Sequence, residues 1–433
     1  MRLSFRLSAV LLLLLVVTPS NAQYFGKNKV QWEAFDFKTL HTEHFDIYYY
    51  DKQKDVVDDI GRMAERWYQR LSVVFQHEFR KKPIVLYANS ADFRQTTTTP
   101  GFIGEGTGGF TDAFQNRIVF PLTGNRSEDD HVLGHEMVHV FQYEMASRMS
   151  RGGNQGAFAL QQLPLWLIEG MAEYLSKGRI DPLTAMWIRD ATINDRLPDL
   201  RKLTRDPRYF PYRYGQAILA YVGARYGDDQ VVRLFLAAGT EGLEQAFPSV
   251  LGVSAKDVFN EWHESARTLY QPVIAARPTT LGEPLIGDRK RMRGELNIAP
   301  SISPDGRYIA FLSARELFSI DLFLAEASTG KVIRKLLSED ADPHIDSVRF
   351  IDSAGSWSPD SKKLAFIVTE KGDNRIAILD VDSRNVDQRI SIPGVDAITN
   401  PVWSPDGQQI AFSGQPTGVS DIFVYDLRTG QAR

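Results

Sequence analysis

Apolar and polar positions along this chain keep two rhythms, and the change from one to the other divides it. Between 55 and 79 apolar residues recur at helical spacing (Val56, Ile60, Met63, Trp67, Leu71, Val74 and Phe75), which predicts one amphipathic helix. On either side, 30–50 and 82–121 read as strands with loops, the clearest strands being 44–50, 83–87 and 117–120. From about 127 to 273 the helical spacing takes over. It predicts helices at 129–147, 165–177, 183–194, 212–226, 228–238 and 255–273, separated by Gly, Pro and Asp. Strands followed by helices predict an α+β domain over 23–275. Residues 276–296, with Pro278, Pro284 and the basic run Arg289-Lys290-Arg291, read as a linker.

Beyond 297 the period becomes two, and the sequence repeats. Ser303-Pro304-Asp305-Gly306, Ser358-Pro359-Asp360-Ser361 and Ser404-Pro405-Asp406-Gly407 each join two strand-like runs. Proline sets φ at the second turn position, and Gly or Asp accommodates the positions after it. An alternating strand comes next in each copy, at 321–325, 375–379 and 421–425. The three copies resemble the TolB-type β-propeller repeat of bacterial envelope proteins, one blade per repeat. A closed propeller needs at least about four blades. An incomplete propeller of about three blades over 297–433 is therefore expected, its third blade stopping at Arg433 before the closing strand. The chain reads as a piece of a longer protein, or as one whose blades close with another chain.

The N-terminus adds an address. Arg2 and Arg6 precede an apolar run from Ala9 to Val17, and Ser20-Asn21-Ala22 offers small residues before Gln23. This is the pattern of a signal peptide over 1–22, and no other stretch approaches the roughly 18 apolar residues of a membrane span. Export to the periplasm or outside the cell is expected, with no integral membrane segment after cleavage. A net charge of -4 gives no basic excess, so nucleic acid is not an expected partner. With no cysteine, disulfides and thiolate metal sites are excluded, and a metal must be held by His, Asp or Glu.

Three of the eight histidines lie together: His131, His135 and His139. His135-Glu136-Met137-Val138-His139 is an H-E-x-x-H match inside an apolar helical stretch. On a helix, His135 and His139 share a face and can offer two imidazoles to one ion. Glu136 sits about 100° round, within reach of a water at that ion. A catalytic zinc takes three protein ligands. Glu169 is the candidate for the third, because a carboxylate on the otherwise apolar helix around Trp166, Leu167 and Met171 is costly unless paired or coordinated. Glu173, one turn on, suits a carboxylate that accepts an imidazole N–H and fixes its tautomer. For His131, a supporting or helix-capping role outranks ligation. His41, His44, His77, His263 and His344 have no partner pattern.

His135-Glu136-x-x-His139 followed by Trp166-x-x-Glu169-Gly170-x-Ala172 resembles the gluzincin zinc metallopeptidases, in particular the peptidase MA-like domains fused to such propellers. The resemblance implies a zincin-like fold, one zinc ion per chain on His135, His139 and Glu169, and Glu136 as general base. Glu169 lies thirty residues beyond His139, further than in many gluzincins, and the Gly-rich stretch 150–156 reads as a surface loop taking up the difference. The family's oxyanion-stabilising tyrosine falls on Tyr212 of Tyr212-Arg213-Tyr214-Gly215, with Tyr214 and Tyr209 as rivals. The segment Gly104–Phe110 leads to the strand at 117–120, and an edge strand at this place in zincins takes the substrate backbone. No Met-Glu-Asn element precedes the helix, which favours endopeptidase action.

The expectation is an exported zinc metallopeptidase that hydrolyses peptide bonds through a zinc-activated water. Its partners would be a peptide or protein substrate, and a protein docked on the propeller. The alternative is a catalytically idle zincin-like scaffold whose propeller binds an envelope protein. A third reading keeps the zinc but hydrolyses a non-peptide amide.

Overall fold

The structure is a computed structural model that describes residues 31–149, 162–276, 285–286, 296–314, 320–337, 347–348 and 355–433. The expected signal peptide at 1–22, the Gly-rich loop at 150–156 and most of the linker at 276–296 lie outside the described residues. Among the described residues no helix is long and apolar enough to cross a membrane.

The N-terminal part begins with strands β1 (Lys38–His41) and β2 (Phe45–Tyr49), helix α1 (Val57–Phe75), β3 (Lys82–Tyr87) and the short helix α2 (Ser90–Arg94). Strands β4 (Phe110–Asp112) and β5 (Arg117–Pro121) come after them. The sheet order is β1-β2-β3-β5-β4. Strands β2, β3 and β5 run parallel, and β1 and β4 close the two edges antiparallel. The strand expected at 117–120 is therefore internal, and the open edge belongs to β4. Three residues are too few to leave a period-two signature, so β4 was invisible behind its leading glycines.

Helix α3 (Arg126–Met149) leaves the end of β5 and crosses the sheet. Helices α4 (Leu165–Lys177), α5 (Pro182–Ile193), α6 (Leu200–Arg205), α7 (Pro211–Tyr226), α8 (Asp228–Glu241), α9 (Leu243–Leu251) and α10 (Ala255–Ala276) complete this part. The short helices α2, α6 and α9 span too few turns for apolar spacing to mark them. The core joins the buried stripe of α1 (Ile60, Trp67, Leu71) to Ile84, Leu86 and Phe120 of the sheet and to Leu133, Met137 and Phe141 of α3. Helices α1 and α3 approach closely at Gly134, where an added Cβ would meet the Trp67 ring at 2.5 Å. The Trp67 indole N–H donates to the Asp130 carbonyl at 3.0 Å and pins the crossing.

The C-terminal part holds three antiparallel sheets. The first is β6 (Asn297–Ile302), β7 (Tyr308–Ser313), β8 (Asp321–Glu326) and β9 (Val332–Leu337). The second joins β10 (Ser347–Val348), β11 (Ser356–Trp357), β12 (Lys363–Glu370), β13 (Asp373–Asp380) and β14 (Val386–Ile390). The third is β15 (Ala397–Trp403), β16 (Gln409–Gln415), β17 (Asp421–Asp426) and β18 (Gln431–Ala432). The third sheet does have its fourth strand, contrary to expectation: β18 pairs Ala432 with Tyr425 and Gln431 with Asp426. Two residues after a Thr-Gly turn are enough to add hydrogen bonds, though too short to read as a strand.

The repeated turn has one chemistry. The Ser303, Ser358 and Ser404 hydroxyls donate to Asp305, Asp360 and Asp406 at 2.5–2.6 Å. The same hydroxyls accept the N–H of Tyr308, Lys363 and Gln409 at 2.9–3.0 Å. The residue after each aspartate takes positive φ: Gly306, Ser361 and Gly407.

The third sheet packs on the ends of the parallel strands of the N-terminal part. The Gln415 side-chain amide donates to the carbonyls of Ala88 (2.8 Å) and Leu122 (3.0 Å), which lie just past β3 and β5. Val419 bridges Gly124. The Lys52 ammonium meets Asp396 at 2.6 Å and the fully buried Asp92 at 3.1 Å.

Candidate metal centre

Helix α3 starts from a tied-down corner. The Asp129 carboxylate accepts the N–H and hydroxyl of Thr123 at 2.7 and 2.8 Å, closing the turn after β5. From there His131, His135 and His139 emerge on one face at one-turn intervals, as the helical repeat requires.

His135 and His139 bring their Nε2 atoms to 3.1 Å of each other, and Glu169 Oε2 on α4 lies 3.2 Å from both. Three donor atoms thus form a nearly equilateral triangle. Metal–ligand distances of about 2.0–2.1 Å around a tetrahedral zinc imply donors about 3.3 Å apart, so this set fits the ion. The tautomers fit as well. Gln142 donates its amide N–H to the Ile168 carbonyl at 3.0 Å, which turns its oxygen toward His139 Nδ1 at 2.8 Å. Nδ1 must then carry the proton, leaving the Nε2 lone pair aimed at the centre. His135 Nδ1 stands at an ion-pair distance of 3.2 Å from Glu173 Oε1.

Glu173 is buried, and its second oxygen receives the Arg213 guanidinium at 3.0 Å. Arg213 also reaches Asp181 at 3.3 Å. His131 meets Glu173 at 3.3 Å and the Ser176 hydroxyl at 3.1 Å, one turn away from the triangle. His131, His135 and Glu173 also stand close enough to be a second possible ion-holding group, but it would use the Nδ1 side of His135. Charge matches this arrangement. Burial alone would lift Glu169, yet His139 and His135 hold it well below the usual carboxylate range. Burial likewise opposes the charged form of His135, but Glu169 and Glu173 push it up to about 10.

Glu136 is buried beside the triangle, and the Thr111 hydroxyl of β4 donates to its Oε2 at 2.8 Å. Tyr212 lies with its ring stacked on His135 at 5.8 Å between centroids. Burial, with the Glu169 and Glu136 carboxylates nearby, raises its phenol strongly, so it stays a donor. Its two rivals face elsewhere: Tyr209 and Tyr214 pack on each other, and Tyr214 also meets Trp187.

What carries Tyr212 and Arg213 to α4 is a crossing of two glycines. A Cβ on Gly170 would meet Gly215 at 2.4 Å, and one on Gly215 would meet the Trp166 carbonyl at 2.1 Å. The backbones of α4 and α7 therefore touch. This crossing, together with Gln142, Arg213 and Thr111, was not apparent in the sequence. The paired glycines, one beside Glu169 and one beside Tyr214, were the available signal. The structure thus brings His135, His139, Glu169, Glu136, Glu173 and Tyr212 into one cluster.

The family model and the named TolB relative bear on the other part. Residues 293–433 match the family model described as TolB beta propeller domain. A protein of Treponema pallidum described only as uncharacterized is 23% identical over 262 residues, covering 56% of this chain and 23% of its own. The Tol-Pal system protein TolB of Hydrogenovibrio crunogenus is 29% identical over 112 residues, covering 26% of this chain and 22% of its own. Among solved structures, the putative TolB of Agrobacterium tumefaciens is similar at 24% identity, covering 31% of this chain and 44% of its own, with a TM-score of 0.26. The chain spans about a quarter of the length of the curated relatives it matches. Its C-terminal part carries a TolB-type β-propeller domain.

Proposed function

We propose that this is an exported envelope protein whose propeller binds a protein and whose N-terminal part is a zinc-dependent peptidase. The protein-binding half is the reading the comparisons favour: the family model is a TolB propeller domain, and one relative is a Tol-Pal system TolB protein. The peptidase half has no such support and rests on geometry. The observation that carries it is the triangle of His135, His139 and Glu169 with a buried Glu136 held beside it. The five-stranded sheet with an antiparallel edge strand next to the H-E-x-x-H helix agrees with a zincin-like fold.

His135, His139 and Glu169 would hold the zinc. When bound, zinc supplies Lewis acidity and makes water acidic near neutral pH. Glu136 takes a proton from the attacking water, its Oε2 steadied by Thr111, and returns it to the departing amine. Tyr212 donates its phenol hydrogen to the oxygen that gains negative charge. Strand β4 offers open backbone donors and acceptors to an extended chain.

The test is zinc content by metal analysis together with hydrolysis of unfolded casein. The proposal expects one zinc per chain, and expects both chelator and Glu136→Gln to remove hydrolysis. One zinc with no casein hydrolysis by the wild type leaves the idle scaffold, which the comparisons favour and which a propeller-dependent pull-down from envelope extract would support, and the amide hydrolase, which chelator-sensitive turnover of small amides would reveal. No zinc defeats every zinc reading.

A further inference from the structure

Between the N-terminal part and the third propeller sheet lies a cavity of about 470 Å³. Thr107 and Gly108 line one side, and Thr399, Asn400, Ser413 and Ser420 line the other. Its size falls within the range that holds organic ligands, roughly 300–1,000 Å³. One wall mixes open backbone at Gly106 and Gly108 with the side chains of Glu105, Pro121, Leu122 and Thr123. The opposite wall is mostly hydroxyls and amides. Thr399 and Ser413 are direct partners across β15 and β16, so their side chains stand side by side. Walls that alternate open backbone, small polar side chains and a few apolar carbons suit the mixed surface of an extended polypeptide.

The same segment that lines the cavity runs on to the metal centre. A Cβ on Gly109 would lie 3.4 Å from Glu136 Cγ, and Thr111 donates to Glu136 Oε2. From Thr107 to Thr111 an extended chain covers about 13 Å, or four residues. A peptide paired on the open edge of β4 and continuing past Gly109 would, with one residue beside Thr111, bring the residue about four places along to the cavity.

We infer that this cavity is a distal subsite for extended polypeptide, walled by the propeller, engaging a substrate four residues from the bond beside Glu136. The inference rests on the peptidase reading and adds its substrate class: unfolded polypeptide rather than dipeptides or small amides.

The test measures binding, so that it stands apart from hydrolysis. Fluorescein-labelled Ala-Ser repeat peptides of two, four, six, eight and ten residues are titrated against zinc-loaded Glu136→Gln protein by anisotropy. Affinity is expected to rise at least tenfold between four and eight residues, then level off. Adding Ser413→Trp, which fills the cavity from the propeller side, removes that step and leaves the shortest peptides unchanged. Ser413→Ala, which keeps the cavity open, retains the step. Equal zinc content and melting temperature establish that the Trp variant is folded. The inference is overturned if affinity shows no step with length, or if the step survives Ser413→Trp. Hydrolysis of casein by the wild type decides the peptidase reading separately.

Discussion

The two parts of this molecule use their polar residues in opposite ways. In the propeller, exposed aspartates close turns, and the same Ser-Asp hydrogen bond recurs in three copies. In the N-terminal part they are buried and used once. Glu173 alone meets His131, His135 and Arg213. A propeller turn can lose its aspartate and keep the sheet, because water replaces the lost partner. A buried carboxylate that loses its cation leaves an uncompensated charge in a low-dielectric place. Repetition makes a fold tolerant, whereas a unique buried network makes a site.

The largest contrast is expected in metal binding. Glu173→Ala should weaken zinc binding about 10–100-fold, by freeing the His135 ring and removing its carboxylate partner. Asp360→Ala in the propeller should leave zinc affinity as it was, read by competition with a fluorescent chelator. Equal effects of the two would break the comparison.

Packing comes next. Gly215→Ala pushes α7 off α4 and should cost about 1–3 kcal/mol in urea unfolding, with Tyr212 displaced from His135. Asp360→Ala removes one turn's hydrogen bonds and should cost about 1 kcal/mol.

The contact between the two parts should respond to pH. Burial raises Asp92 from 3.8 to about 6, against the pull of Lys52. The folded state therefore favours the protonated form. The stability this contributes is full below pH 3.8 and is lost as pH rises through about 6. Urea unfolding at pH 5 and pH 7.5 should show the wild type losing stability relative to Asp92→Asn as pH rises. A difference independent of pH would remove Asp92 from the account.

The smallest effect is a near-cancellation. Ser361 holds φ +63 where the other two turns have glycine, and its hydroxyl accepts the Asp305 N–H of the first sheet at 3.1 Å. Ser361→Gly relieves the backbone but loses that hydrogen bond, so the urea midpoint should move by less than about 0.5 kcal/mol in stability.

Much of this was legible in the sequence. The long helices carried strong periodicity, and α4 and α7 fall within a residue of the expected 165–177 and 212–226. Each repeated Ser-Pro-Asp motif gave a hairpin. His135, Glu136 and His139 were legible because helical spacing alone puts them together, and Glu169 because a carboxylate is out of place among Trp166, Leu167 and Met171. The edge strand β4 was not legible, since three residues carry no period and its role comes from pairing with β5. Gln142 and Arg213 were not, because a glutamine and an arginine on helices look like solvated residues until their partners are known. The contact of the propeller with the N-terminal part was hidden for the same reason: Gln415 gives no sign in sequence of reaching Ala88 and Leu122.

Local features of this protein were written in its sequence: element type, the turn chemistry of the repeats, and the pair of imidazoles one turn apart. Spacings of three to five residues fix these through backbone geometry alone. Folding in three dimensions settled which tyrosine faces the triangle, what holds the imidazoles in place, and what walls the cavity. Those depend on two helix backbones touching at Gly170 and Gly215, and on one propeller sheet meeting the ends of β3 and β5. Contacts between distant segments are set by shape complementarity of whole surfaces, which no short window of sequence contains.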